Sequence, residues 1–130
     1  MSIEIGVTNK VFNLSEAKRL LPVIKAITES HFEKLKPIQS RLNLMLSNDP
    51  RRSLIETEYE QVVSRWRTKV EQLGALVTGL WVVGFDMGDG FLSWKYPELS
   101  LSYFVERNAD FSQRVKLSSY IEEFDPDWAH

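Results

Sequence analysis

Glu98, Glu106, Asp110 and Arg114 lie close together late in the chain, after two short strand-like segments. Carboxylates grouped with a guanidinium can line a polar pocket of the kind a small-molecule or metal-dependent enzyme uses. They can equally pair with one another at the surface. Asp86 and Asp89 flank a turn and can hold a cation as a pair, or form the solvated tip of a hairpin. Two histidines, His31 and His130, cannot make a histidine-rich metal site, and neither HExxH nor CxxC spacing occurs. No GxSxG or P-loop is present, and the "GDG" of "DMGDGF" lacks the lysine and following helix that phosphate binding needs. The chemistry-bearing residues therefore give a candidate ligand set, with no catalytic residue, no metal ligand set and no cofactor expected.

The totals narrow the function classes further. The chain has 130 residues, 43% of them hydrophobic and 12% aromatic, which is enough for one domain with its own core. Cysteine is absent, which excludes disulfides and thiolate chemistry and fits a reducing cytoplasm. The N-terminus "MSIEIGVTNKVF" has neither the basic start nor the apolar run of a secretion signal. The longest mostly apolar run, "LGALVTGLWVVGF", falls short of the roughly 20 residues a membrane span needs. A cytoplasmic protein without a membrane segment is expected. The formal charge of −2 conceals 12 basic and 9 acidic residues up to Gly74, against 4 and 9 beyond it. Arg51, Arg52, Arg65, Arg67 and Lys69 are interspersed with glutamates, so nucleic-acid binding through the helices is the least favoured class.

These residues must be positioned by a few elements. Asn13 and Glu16 form a capping box, and Leu14, Ala17, Leu21, Ile24, Thr28, His31, Leu35, Ile38, Leu42 and Met45 then step by three and four residues. That is one seam of a helix over 13–47, bent by Pro22 and Pro37, with a break possible at Pro37. His31 beside Thr28 reads as a polar pair that fixes helix register, or as a ligand or general base. Asp49 and Pro50 make the turn, Ser53 and Glu56 offer a second capping box, and a helix over 51–73 presents Ile55, Tyr59, Val62, Trp66, Val70 and Leu73. Gly74 ends it, and the short connection makes the two helices antiparallel neighbours.

Beyond Gly74 the period falls to two. "GLWVVGF" and "GFLSWKY" flank the turn residues "DMGDG", and Pro97 and Glu98 turn the chain into "LSLSYFVE". An antiparallel sheet over 79–106 follows. With that turn, Tyr96, Trp94 and Leu92 lie opposite Leu99, Leu101 and Tyr103 on a core face. Trp94 and Tyr96 beside Lys95 resemble a stacking platform for single strands, but this alternation turns both rings inward. Phe91 and Phe104 then share the opposite face, which needs a cover. The segment 107–130 can supply one: Ser119 and Glu122 suggest a short helix, and Tyr120, Phe124 and Trp128 can lie on the sheet. A second copy of the protein is the other candidate cover.

Three blocks carry a resemblance. They are "FNLSEAKRLLP"; the pairs Leu73–Gly74 and Gly79–Leu80; and "SWKYPELSLSYFVERNADFSQRVKL", through Trp94, Lys95, Glu98, Tyr103, Phe104, Glu106, Phe111, Arg114 and Leu117. On these, residues 11–117 resemble the bacterial family catalogued as domain of unknown function 2203. The chain has Phe104 and Val105 where the family has Trp-His, Asp110 and Gln113 where it has glycines, and Ser93 where it has cysteine. Any chemistry of that histidine would be missing here. The resemblance implies a fold and kinship but no activity.

The expected architecture is a single α+β domain over 1–130, a long antiparallel helical hairpin packed with an antiparallel sheet of three or four strands. The expected role is a non-enzymatic interaction module whose partner is a second copy or another protein. Phe91, Phe104, Tyr120, Phe124 and Trp128 are its candidate interaction residues. The rival is an enzyme built on Glu98, Glu106, Asp110 and Arg114.

Overall fold

Asn13 starts the first helix as its neighbours require: its side chain accepts the amide of Glu16 at 2.8 Å, and the Glu16 carboxylate accepts the amide of Asn13 at 3.0 Å. In the computed structural model, which describes residues 10–110 and 112–130, helix α1 then runs over Leu14–Leu44 and includes Pro22 and Pro37 without interruption. Residues 1–9, read above as lacking a secretion signal, and Phe111, one of the family-like residues, lie outside the described residues. The buried face of α1 is the predicted seam, Ala17, Leu21, Ile24, Thr28, His31, Leu35, Ile38 and Leu42.

Helix α2, Arg52–Gln72, packs against it with Ile55, Val62, Trp66 and Val70 buried. The polar contact across the seam differs from the predicted one. Thr28 takes the indole N–H of Trp66 at 2.9 Å, while the Nδ1–H of His31 turns back to the Ile27 carbonyl at 2.7 Å within its own helix. Thr28 therefore satisfies a buried indole donor that would be costly to leave unpaired.

The second capping box does not form. Asp49 accepts the amide of Arg51 at 2.9 Å and brings the helix start forward to Arg52, so Ser53 already lies inside the helix. Gly74 closes α2 at φ 93°, a left-handed conformation that a Cβ would disfavour.

The sheet has five antiparallel strands in sequential order, β1 (Leu76–Gly79), β2 (Val82–Asp86), β3 (Gly90–Lys95), β4 (Tyr103–Glu106) and β5 (Val115–Lys116). The expected three or four strands fall short for two reasons. "GLWVVGF" is not one strand but folds back at Leu80 and Trp81, with Trp81 at φ 63°, which frees residues 76–79 to pair with β2. Strand β5 is only two residues long and carries no readable period.

The register of β3 and β4 also differs, by one residue. Leu92 pairs with Phe104 and Phe91 with Val105, because the turn centres on a cis Tyr96–Pro97 bond and residues 98–102 add a wide connection. A one-residue slip moves each side chain to the other face. Phe104 therefore joins Phe85, Leu92 and Trp94 on the helix side, Tyr103 lies on the opposite face, and Leu99 is 84% exposed instead of facing the core.

Trp94 is fully buried, and its indole donates to the Glu98 carbonyl at 2.8 Å, so its ring faces the core as the alternation predicts. Gly90 is required beside it, since a Cβ there would stand 2.3 Å from the ring of Phe104 and 2.4 Å from the Val105 carbonyl. Helix α3 (Leu117–Phe124) and a single 3₁₀ turn (Asp127–Ala129) complete the chain. Helix α3 starts directly from β5, where Leu117 donates its amide to the Ser102 carbonyl at 2.9 Å, so Ser119, read as marking the start of a short helix, lies inside it and does not cap it. Among the described residues, no helix is long and apolar enough to cross a membrane.

Candidate functional site

Of the four predicted ligand residues, the fold brings two together. Glu98 Oε1 accepts Arg114 Nη2 at 2.7 Å and the amide of Lys95 at 2.8 Å, and Arg114 Nη2 also reaches the Ser93 carbonyl at 3.2 Å. The Arg114 guanidinium lies over the ring of Tyr103 at 4.0 Å. Arg114 thus clamps the 96–102 connection onto the outer face of the sheet, by charge-assisted hydrogen bonds and by a cation over an aromatic ring. Its Nε is buried and has no hydrogen-bond partner among the described residues.

Asp110 is engaged elsewhere. It accepts the amide of Ser112 at 2.9 Å, and that bond holds its carboxyl below the usual value. Glu106 ends β4 with an exposed side chain opposite Gly90. The set therefore divides into one ion pair, one turn carboxylate and one strand-end glutamate.

Asp86 and Asp89, at the β2–β3 turn, are both engaged within the fold. Asp86 is buried, bonded to the amide of Gly88 at 2.9 Å and paired with Arg107. Arg107 also donates Nε to the Gly88 carbonyl at 2.8 Å and lies over Phe91 at 4.9 Å. Asp89 accepts the indole N–H of Trp128 at 2.8 Å and the hydroxyl of Tyr120 at 3.3 Å. Burial, reinforced by the Asp89 carboxylate, raises the Tyr120 hydroxyl above its ordinary value. Among the described residues, no group of three or more histidine, cysteine, aspartate or glutamate side chains could hold a metal ion.

The predicted interaction residues also divide. Phe104 stacks on Tyr120 at 4.0 Å and on Trp128 at 5.3 Å, and Tyr120 meets Phe124 at 4.7 Å. The C-terminal segment therefore extends the helix-side core, whereas Phe91, across the sheet, lies under Arg107. Arg107 and Arg114 thus lie over aromatic rings of the face that the tail was expected to cover. Arg114 was legible as one of a charged cluster, but nothing in period or spacing set Arg107 apart from a solvated charge.

A different surface emerges at the α1–α2 turn. Leu44, Leu46 and Leu54 are 87%, 74% and 69% exposed. The turn itself is well bonded. Arg52 Nη1 reaches the carbonyls of Leu42 at 3.1 Å and Met45 at 3.4 Å, satisfying acceptors at the end of α1. At the same end of the hairpin, Arg41 pairs with Glu58 at 3.3 Å, Arg51 with Asp49 at 2.8 Å and Arg52 with Glu56 at 3.3 Å. The hairpin tip thus carries three exposed leucines and three ion pairs of balanced charge. Its sequence signal was the position of these leucines off both helical seams.

A model of a conserved family, described as uncharacterized conserved protein (DUF2203), matches residues 10–117. No curated protein and no solved structure matches the chain.

Proposed function

Because the chain belongs to the uncharacterised conserved family DUF2203, whose description assigns no activity, we propose from the geometry that it is a non-enzymatic module that pairs with a second copy through the tip of its helical hairpin. The observation that carries this reading is the exposure of Leu44, Leu46 and Leu54 on a turn whose backbone is fixed by Arg52 and Asp49. Large side chains grouped in water on an ordered turn favour removal from solvent, at roughly 25 cal/mol per Å² of apolar area.

The balanced charge supports a second copy as the occupant. A two-fold contact places the same patch on both sides, so an excess of either charge would repel itself. Three arginines facing three carboxylates avoid that repulsion and can exchange partners across the contact. The patch is small, which puts the dimer in the transient class. The rival enzyme reading has less support, since Glu98 and Arg114 are engaged with each other and with the backbone of the sheet.

Sedimentation velocity over a wide concentration range tests the proposal on the full chain and on a Leu44→Glu/Leu54→Glu variant. The expected result is a concentration-dependent dimer for the native chain and a monomer of unchanged melting temperature for the variant. A native chain that stays monomeric throughout, or a variant that dimerises equally well, overturns it.

A further inference from the structure

Between α1, α2 and the β1–β2 turn lies an open groove of about 450 Å³, within the size range of small-molecule sites. Phe32, Leu35, Leu80 and Trp81 form its apolar walls, and Lys36, Ser40 and Tyr59 contribute polar groups. We infer that this groove binds a planar aromatic carboxylate, with the ring against Phe32 and Trp81 and the anionic edge toward Lys36. The inference is independent of how the hairpin tip associates.

Two features of Trp81 support it. The residue occupies the left-handed region at φ 63°, where a bulky side chain is strained and glycine or asparagine would be at ease. Surrounding contacts hold it there. Its indole meets Trp66 at 4.9 Å and Phe32 at 5.7 Å in edge-to-face geometry, and its carbonyl accepts the amide of Tyr96 at 3.0 Å. The fold therefore imposes an indole on the groove wall at a position where turn chemistry alone would select a small residue.

The second feature is its N–H. Trp66, Trp94 and Trp128 donate to Thr28, Glu98 and Asp89 at 2.9, 2.8 and 2.8 Å. Among the described residues, no group accepts from Trp81, the tryptophan that lines the groove.

The polar side of the groove asks for an acceptor. Among the described residues, the hydroxyls of Ser40 and Tyr59 have no hydrogen-bond partner, and the Gln39 amide nitrogen is already donated to Asn43 at 2.9 Å. Lys36 pairs with Glu33 at 3.1 Å and its ammonium lies over the Phe32 ring at 5.5 Å, but both side chains of the ion pair are more than half exposed, and surface contacts of this kind hold the ammonium weakly. An indole N–H, two hydroxyls and an ammonium together complement a carboxylate, while the aromatic walls complement a ring.

The test is a titration of the full chain, with isotope-labelled indoles, by 2-naphthoate and by its neutral carboxamide, followed by nuclear magnetic resonance. Saturable movement of the Trp81 indole signal is expected with the carboxylate, with the Trp94 and Trp128 signals nearly still. Lys36→Met should weaken that binding about fivefold, the loss of roughly 1 kcal/mol. Ser40→Phe, at an exposed helical position, should fill the groove and abolish binding without lowering the melting temperature. Equal movement of all indole signals, equal affinity for the carboxamide, or undiminished binding in Ser40→Phe overturns the inference.

Discussion

At the β2–β3 turn both carboxylates have partners inside the fold, whereas at the α1–α2 turn three leucines face water. Sequence alone leaves the aspartates as a cation pair or a solvated hairpin tip, and assigns no role to the three leucines, which lie off both helical seams. Asp86 and Asp89 are fixed by Arg107, Gly88, Tyr120 and Trp128, so their charges hold the β2–β3 turn, the end of β4 and the C-terminal segment together. The leucines contribute little to the fold that presents them. In this molecule polar clusters mark internal joints, and exposed apolar groups mark surfaces available to something else.

The sharpest way to break that comparison is at the polar joint. Trp128→Ala removes the ring stacked on Phe104 and the donor to Asp89. The expected cost is about 3–5 kcal/mol, the range for emptying a buried tryptophan site, read by chemical denaturation. Hydrophobic-dye binding should rise as Phe104 loses its cover. A variant as stable as the native chain would show that the β2–β3 turn does not depend on the C-terminal segment.

Next in size is Asp86→Ala. It leaves the amide of Gly88 and the guanidinium of Arg107 without their carboxylate, at an expected cost of about 1–3 kcal/mol. Arg107 is partly solvated, which places the value toward the lower end. Retained stability would mean that water replaces the aspartate, and the turn would be a solvated tip after all.

At the other turn the expected effect on folding is smaller still. Leu54→Glu touches no buried contact and should change stability by no more than about 0.5 kcal/mol, while it weakens self-association measured by sedimentation. A large drop in melting temperature would make Leu54 a structural residue and remove the contrast between the two turns.

How far each region was legible follows from the range of the signals. The seam of α1 repeats every three or four residues over eight turns, so Ala17 through Leu42 could be read one by one, as could the Asn13–Glu16 box. Pairing across the sheet depends on turns. There, Trp81 takes a left-handed conformation its type does not advertise, and the connection after Pro97 moves the register by one residue. That single slip put Phe104 on the wrong face in the sequence reading and suggested a cover for the wrong side. The ion pair of Glu98 and Arg114 was readable as a cluster, but not its clamp on Tyr103, which needs the strand register to place ring and guanidinium together. Leu44, Leu46 and Leu54 were visible as leucines, yet only the packed hairpin shows that nothing within the described fold buries them.

The smallest expected effect separates the two turns by pH. Asp49 at the α1–α2 turn is held down from 3.8 to about 2, first by the side chain of Arg51 and then by its amide. A carboxyl depressed in the folded state contributes stability that is complete above its ordinary value and is lost as pH falls from about 3.8 through about 2. Tyr120, on α3 and bonded to Asp89 of the β2–β3 turn, has the opposite sign. Its hydroxyl is raised above 10.0 by burial and by Asp89, so its contribution is present below that value and is lost as pH climbs beyond it. Ionising Tyr120 would set a phenolate against the Asp89 carboxylate and loosen the C-terminal segment, whereas protonating Asp49 would loosen only the exposed helical turn. Site-resolved nuclear magnetic resonance titration should give Asp49 a midpoint near 2 and Tyr120 one above 10.0. If Asp49 titrated at its ordinary value, its bonds to Arg51 would not persist in solution. The leucines would then be carried by a loose turn, and the rigid presentation on which their pairing depends would be gone.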